Sequence, residues 1–506
     1  MTAHLPVLQV VIPLLAAPLC AMVRHGRIAW GIALATSWTT FGIAIRLLAQ
    51  VQAEGPISYA LGGWAAPVGI EYRVDLVNAF VLVIVTAIGA VVTPYALKSV
   101  EQEIDAAKIP LFYAAFVLCL TGLLGIAVTG DVFNVFVFLE VSSLSAYALI
   151  ALGQDRHALT AAYQYLIMGS IGATFIVIGI GMMYVMTGTL NMLDLSVLLA
   201  ELGPNRTVAV AFGFLSIGIS LKLALFPLHF WLPNAYTYAP SAVTAFIAST
   251  ATKVAVYMLL RFFFTVFGGV FSFDVMQLDR VLLPLALVAI FSMSLVAIFQ
   301  ANVKRMLAYS SVAQIGYMIL GISMVSVTGL TAGILHLFNH ALIKGGLFMA
   351  LGCVMYRVGS VEIEAMRGLA KKMPWTMAAF VSGGFSLIGL PFTVGFISKW
   401  YLILGALERD GWQWWLVVGL ILTTSLMALV YIWRVVEAAY FQEAPNAESP
   451  GGGFPGEGTS AVVEAPLALL IPTWVLIVAN FYFGIDATFT AEVAESAARS
   501  LMGIAP

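Results

Sequence analysis

Charge is scarce in this sequence. Only 9% of its 506 residues are Asp, Glu, Lys or Arg, where an ordinary soluble domain carries about 25%. There is no basic run and the formal net charge is -2, so nothing points to nucleic acid as a partner. Cysteine is almost missing. Cys20, Cys119 and Cys353 all fall in apolar runs without metal-ligand spacing, which fits small packing residues rather than a redox or zinc centre. No glycine-rich nucleotide loop is found, so the residues call for no cofactor and no metal. The N-terminus lacks a basic segment followed by a small-residue cleavage site, so residues 5–23 read as a retained first span.

What is present is apolar: 61% of the residues, with a mean hydropathy of +1.00. No soluble fold of this size hides that much apolar surface, so lipid must be the main solvent. A crossing helix needs about 20 apolar residues. Fourteen such runs fill the chain, at about 5–23, 28–52, 75–97, 110–129, 131–152, 160–188, 207–228, 240–266, 281–300, 307–325, 328–356, 375–403, 413–440 and 462–484. An all-α polytopic membrane protein is expected. The longest polar pieces are 53–74, 189–206, 357–374 and 441–461. The last contains "ESPGGGFPGEGTS" and reads as a flexible loop with too little apolar surface to fold alone.

Loops after odd-numbered spans hold twelve Lys and Arg, and those after even-numbered spans hold seven. The positive-inside rule then places both termini on the non-cytoplasmic side of a bacterial inner membrane. Four cations remain: Lys222, Lys253, Lys344 and Lys399. All lie inside apolar spans, and none is arginine. Among the acids, Glu140 is the one deep in a span.

An ionised group at mid-bilayer costs about 2.5–3.5 kcal/mol on insertion scales, so five cost roughly 12–18 kcal/mol, comparable with a whole protein's stability. Neutralising a lysine at pH 7 costs roughly 4.6 kcal/mol. The two costs are similar, so neither charge state wins outright, and a neighbouring charge decides. Lysine is switchable in this way, whereas arginine effectively never loses its proton. The choice of lysine at all four places points to proton traffic. The bland reading is structural. A span-end lysine snorkels, as Lys399 would in a straight helix, and one Glu–Lys pair serves packing as well as chemistry. Four mid-span lysines with a mid-span glutamate are harder to explain that way.

"HLFNHALIKGG" sets His336, His340 and Lys344 at i, i+4 and i+8, one polar stripe on span 11. Two histidines so spaced also suit zinc, but without HExxH or a nearby cysteine the signal is weak. A relay fits better, because histidine titrates near neutrality. His229 follows Pro227 at an expected helix break and is a candidate proton entry from the cytoplasm, or an ordinary interfacial histidine.

Lys222 in span 7 and Lys399 in span 12 both lie beside internal proline, in "LKLALFPLHFWLP" and "GLPFTVGFISKW". The spans are an odd number apart and run in opposite directions. Spans 4–8 and 9–13 thus read as two inverted five-helix repeats, and paired interrupted spans mark a transport site. A broken helix is tolerated at depth only where protein or a wet cavity satisfies its backbone.

Four stretches carry a resemblance: "GDVFNVFVFLEVSSLSAYALIALG", "SLKLALFPLHFWLPNAYTYAPSAVTAFIASTATKVAVYMLLRF", "NVKRMLAYSSVAQIGYMILG" and "HLFNHALIKGGLFMALG". Together they resemble the antiporter-like membrane subunits shared by respiratory complex I and the Mrp-type multisubunit Na+/H+ antiporters, over roughly residues 70–440. The resemblance implies fourteen helices, inverted repeats and broken spans 7 and 12. It divides the chain into helices 1–3 (1–109), a first repeat (110–266), a second repeat (267–445), and a flexible loop with helix 14 and tail (446–506). It also implies a Glu140–Lys222 pair, a central relay of Lys253, His336, His340 and Lys344, and Lys399 as the distal residue. One departure stands out: the family usually reads G-[IL]-P-P in span 12, where this chain has "GLPF", which puts the break and the role of Lys399 in question.

The chain stops soon after span 14, unlike the longer L-type and Mrp A-type relatives, and it has Lys399 where M-type relatives usually have glutamate. The Mrp D-type and the complex I N-type subunits remain, and the "GDVFN...FLEV" run looks more like Mrp D. The expected activity is proton movement through a buried Lys/Glu/His relay, coupled to a monovalent cation that is expected to be Na+, in a complex with other membrane subunits. The alternative is a proton-pumping subunit of an NADH:quinone oxidoreductase or a membrane-bound hydrogenase. A structural scaffold is a third reading, disfavoured by the lysine set.

Overall fold

The structure, a computed structural model, describes residues 4–443 and 463–504. Most of the Gly-rich stretch expected to form a flexible loop lies outside the described residues. The helices run α1 (Leu5–Met22), α2 (Gly26–Glu54), then a short antiparallel hairpin of β1 (Ile57–Ala60) and β2 (Glu71–Val74). They continue as α3 (Leu76–Glu103), α4 (Ile109–Val128), α5 (Val132–Ala151), α6 (Arg156–Thr187), α7 (Met192–Leu202), α8 (Arg206–Leu223), α9 (Trp231–Tyr238) and α10 (Ser241–Leu260). The remainder are α11 (Leu278–Ile298), α12 (Val303–Ser323), α13 (Val327–Val358), α14 (Pro374–Ile388), α15 (Val394–Leu407), α16 (Trp412–Val436), α17 (Leu467–Ile485) and α18 (Thr488–Leu501).

Among the described residues, thirteen helices are long and apolar enough to cross a membrane, and α14 and α15 are shorter apolar helices. The chain is a multi-pass, all-α membrane protein. In lipid every backbone N–H and C=O needs an internal partner, which leaves the helix as the spanning form. Polar residues appear where helices start. Asp75 accepts from the backbone N of Val77 at 3.1 Å and Asn78 at 3.2 Å, and Asn78 returns the contact to Asp75 N at 2.7 Å. Asp131, Asn205, Asn302 and Ser326 cap α5, α8, α12 and α13 in the same manner.

Span 7 is interrupted: α8 ends at Leu223, Ala224 turns left-handed (φ 59°), and α9 begins at Trp231. Span 12 is interrupted as well. α14 ends at Gly389 (φ 92°), Phe392 is left-handed (φ 66°), and α15 begins at Val394. The break therefore forms without the second proline. Both sit beside lysines.

α13 is the hub. It packs against α3, α10, α12, α14, α15, α17 and α18, and residues Gly329 to Val354 along it are all buried. α6 and α8 approach through glycines: a side chain at Gly218 would meet Gly172 O at 2.7 Å. Small residues let membrane helices come this close, and the approach fixes where Lys222 lies. Three elements were not expected from the sequence. The hairpin and α7 occupy two of the polar pieces, and α18 is a helix in what reads as tail.

Candidate functional site

Glu140 lies midway along α5 and Lys222 in the last turn of α8. Lys222 Nζ stands 3.6 Å from Glu140 Oε1 and donates to Ser143 Oγ at 2.9 Å. Ser143 is three residues after Glu140, so one face of α5 offers both groups. Room for the amine comes from Gly169 on α6. A methyl group there would lie 3.4 Å from Lys222 Nζ and collide with Tyr147 Oη. Lys222 is buried, whereas the Glu140 side chain, at mid-helix, is 28% exposed, with Oε1 itself buried.

The histidine stripe is buried in α13. His336 and His340 stack with ring centroids 6.1 Å apart and planes 5° apart. His336 Nδ1 shares a hydrogen bond of 2.8 Å with Ser398 Oγ, next to Lys399 on α15. Neither nitrogen of His340 has a fixed protein partner, nor does Nε2 of His336. Lys344 donates to Leu307 O at 2.8 Å and to the Ser310 hydroxyl on α12. Lys253 on α10 is fully buried. It donates to Ala248 O and lies 3.4 Å from Thr252 Oγ1, within electrostatic reach of both histidines.

Lys399 does not snorkel. Its Nζ turns back to the carbonyls of Leu387 at 3.2 Å and Ile388 at 2.8 Å, and meets Ser425 Oγ on α16 at 3.0 Å. Those carbonyls are the orphaned end of α14, where a cation is favoured. The amine also sits 5.3 Å from the Tyr317 ring centre. His229 is buried in the break of span 7, between the rings of Phe226 (5.4 Å) and Phe230 (5.0 Å).

The expected residues thus form three groups: Glu140 with Lys222, the histidine stripe with Lys253 and Lys344, and Lys399, one residue after the Ser398 that meets His336. His229 stands apart beside the break. No group of three or more His, Cys, Asp or Glu able to hold a metal occurs among the described residues. Ser143, Ser398, Ser425 and Tyr147 were not singled out in the sequence; for Ser143 and Ser398, a hydroxyl one turn from or beside a buried charge was a usable signal, and Ser425 and Tyr147 had none. Lys304 (3% exposed) and Arg261 (7%) are also buried, which corrects their reading as loop charges.

Known proteins share this fold. A curated relative 42% identical over 485 residues, covering 94% of both chains, is the N-type subunit of the NADH-quinone oxidoreductase of Desulforudis audaxviator. The D-type subunit of the Na(+)/H(+) antiporter of Alkalihalophilus pseudofirmus is 30% identical over 406 residues, 80% of each chain. Among solved structures, a chain of the Mrp complex from Dietzia superimposes with a TM-score of 0.88 at 26% identity, over 99% of this chain and 97% of the other. The family model described as "NADH:quinone oxidoreductase/Mrp antiporter, TM" matches residues 129–427, and the chain belongs to that family of antiporter-like membrane subunits.

Proposed function

We propose that this chain is the proton-translocating membrane subunit of a multisubunit monovalent cation (Na+)/H+ antiporter of Mrp D type, in a bacterial inner membrane with both termini on the non-cytoplasmic side. The observation that carries the proposal is the Glu140–Lys222 pair, 3.6 Å apart in the middle of two spans. A proton reaches Lys222, with His229 at the span break as its entry. The charge on Glu140 sets whether Lys222 keeps that proton. When Glu140 is neutralised or moves away, the proton passes to Lys253 and the His340–His336 stack, with Lys344 holding the balance of charge beside it. Ser398 bridges to Lys399, which releases it. Each lysine amine has a hydroxyl partner that remains when its proton leaves, while both ring nitrogens of His340 and Nε2 of His336 have no fixed protein partner. One carboxylate is too few oxygens to hold Na+, so the cation path is assigned to partner subunits. The exposure of Glu140 supports a partner as well, because a mid-membrane carboxylate facing acyl chains is costly.

The inverted repeats draw support from two matched ties. Asp131 bridges Asn191 and Asn302 bridges Glu362, both antiparallel and at the same spacing. Each tie joins the start of a repeat's second helix to the end of its third, and the helix pairs have lengths of 20 and 32 residues against 21 and 32. The ties stand five spans apart, hence at opposite faces.

A second reading is the N-type subunit of an NADH:quinone oxidoreductase, favoured by the 42% identical relative. The relay would be the same. Purification in mild detergent separates the two: small membrane subunits without redox centres copurify in the first case, hydrophilic iron–sulfur subunits in the second. The relay is tested with Glu140→Ala and Lys222→Ala in vesicles carrying the assembled complex, followed by a pH-sensitive dye. Both variants insert but lose coupled proton movement. Normal transport by either removes its residue from the mechanism.

A further inference from the structure

Lys253, Tyr257 and Arg261 follow one another at i, i+4 and i+8 along α10 and into the helical turn that continues it, a stripe from mid-membrane to one end. At that end lies a cavity of about 170 Å³, lined among others by Arg73, Asp75, Thr129, Tyr257, Arg261 and Ser500. It has room for several waters at about 30 Å³ each. Its floor is Tyr257, fully buried and donating to Ala127 O at 3.1 Å. One helical turn further in is Lys253. A wet vestibule therefore comes within one side chain of the central lysine, on the face that carries the hairpin and α18.

Arg261 stands in that vestibule, in a π-helical turn over Arg261–Val266. Its guanidinium grips Asp75 through both carboxylate oxygens, at 2.8 and 2.9 Å, and reaches Tyr257 Oη from Nε at 3.3 Å and Thr265 Oγ1 at 3.3 Å. Asp75 is itself fixed as the cap of α3. Arg73 lies on the same wall, held 3.7 Å from Glu71. A guanidinium does not release its proton at any physiological pH, so Arg261 is unsuited to relay. Locked to Asp75, it forms an ion pair of no net charge whose polar groups are held by fixed partners, which fills the passage and offers an incoming proton no free carrier.

We propose that the Arg261–Asp75 ion pair is a plug that closes the Tyr257 vestibule and keeps protons of that face away from Lys253. The fold thus has a second near-opening to the centre and closes it with an ion pair. This rests on the reading of Lys253 as a relay member.

The test uses the assembled complex in sealed vesicles without the coupling cation, with an imposed pH difference and a pH-sensitive dye inside. Arg261→Gln is expected to raise passive proton leak clearly above the parent, Arg261→Lys to stay near the parent, and Arg261→Gln with Lys253→Met to be tight again. Asp75→Asn, which breaks the ion pair while keeping a cap for α3, is the second variant should Arg261→Gln fail to assemble; it leaks more than the parent. Vesicles of Arg261→Gln, or of Asp75→Asn in its place, that are as tight as the parent overturn the plug. A leak that persists without Lys253 overturns the route. Neither result depends on coupled transport, which is lost or kept by Glu140 and Lys222 separately.

Discussion

Lys222 and Lys399 occupy matching places beside the two span breaks, yet they are held differently. Lys222 lies in the half-helix before its break and faces a carboxylate and a hydroxyl. Lys399 lies in the half-helix after its break and folds back onto two backbone carbonyls and a hydroxyl. A carboxylate can take a proton; a carbonyl dipole cannot. The environment of Lys222 is therefore adjustable, while that of Lys399 is set by the backbone. The first site suits coupling to an outside event, and the second suits delivery at a fixed setting.

The strongest way to break the comparison is Gly169→Ala. The added methyl collides with Tyr147 Oη and crowds Lys222 Nζ, at a cost of about 1–3 kcal/mol. Coupled transport in vesicles should fall to near background while the complex still assembles. Unchanged transport would show that Lys222 does not need its present seat. A milder test sets Ser143→Ala against Ser425→Ala. Hydrogen bonds to charged groups contribute about 1.5–3 kcal/mol. Lys222 is left with Glu140 alone, whereas Lys399 keeps two carbonyls. Transport rates should drop about tenfold for the first and about twofold for the second. The reverse order would mean that the Lys399 site, not the Lys222 site, is sensitive to its partners. The smallest effect belongs to the second break. Phe392 holds φ at 66° and is 70% exposed. Phe392→Gly should raise stability by roughly 1 kcal/mol, read as a higher melting temperature of the complex, with transport unchanged. Phe392→Pro, which restores the motif's proline, should destabilise, because proline cannot reach a positive φ.

Much of the fold was legible because lipid enforces it: apolar length gives the spans, and proline beside lysine gave both interruptions. The deep lysines, Glu140 and the histidine stripe were equally plain, since a charge in oil has few bland explanations. What stayed hidden lay at span ends. Arg261 and Lys304 looked like charges in water, and Asp75 drew no notice. Whether an end charge is wet or enclosed depends on which distant helix lies over it, and spacing along the chain carries no such information. Lys399 was legible as a residue but not in its bonding, because the carbonyls of Leu387 and Ile388 are freed only once the break exists. Phe392 shows why the missing proline misled: the turn needs one left-handed residue, and Phe supplies it under strain.

The two 32-residue helices, α6 and α13, are about 48 Å long against a hydrocarbon core of about 30 Å. They must slant or project beyond it. To the degree that α13 slants, its titratable side chains are strung partly sideways rather than straight through the sheet of lipid. The electric field across a membrane does work only on displacement along the normal. In the proposed relay, hops along a slanted row are thus partly shielded from voltage, and the steps that feel it most are those that carry the ion in from one surface and out at the other.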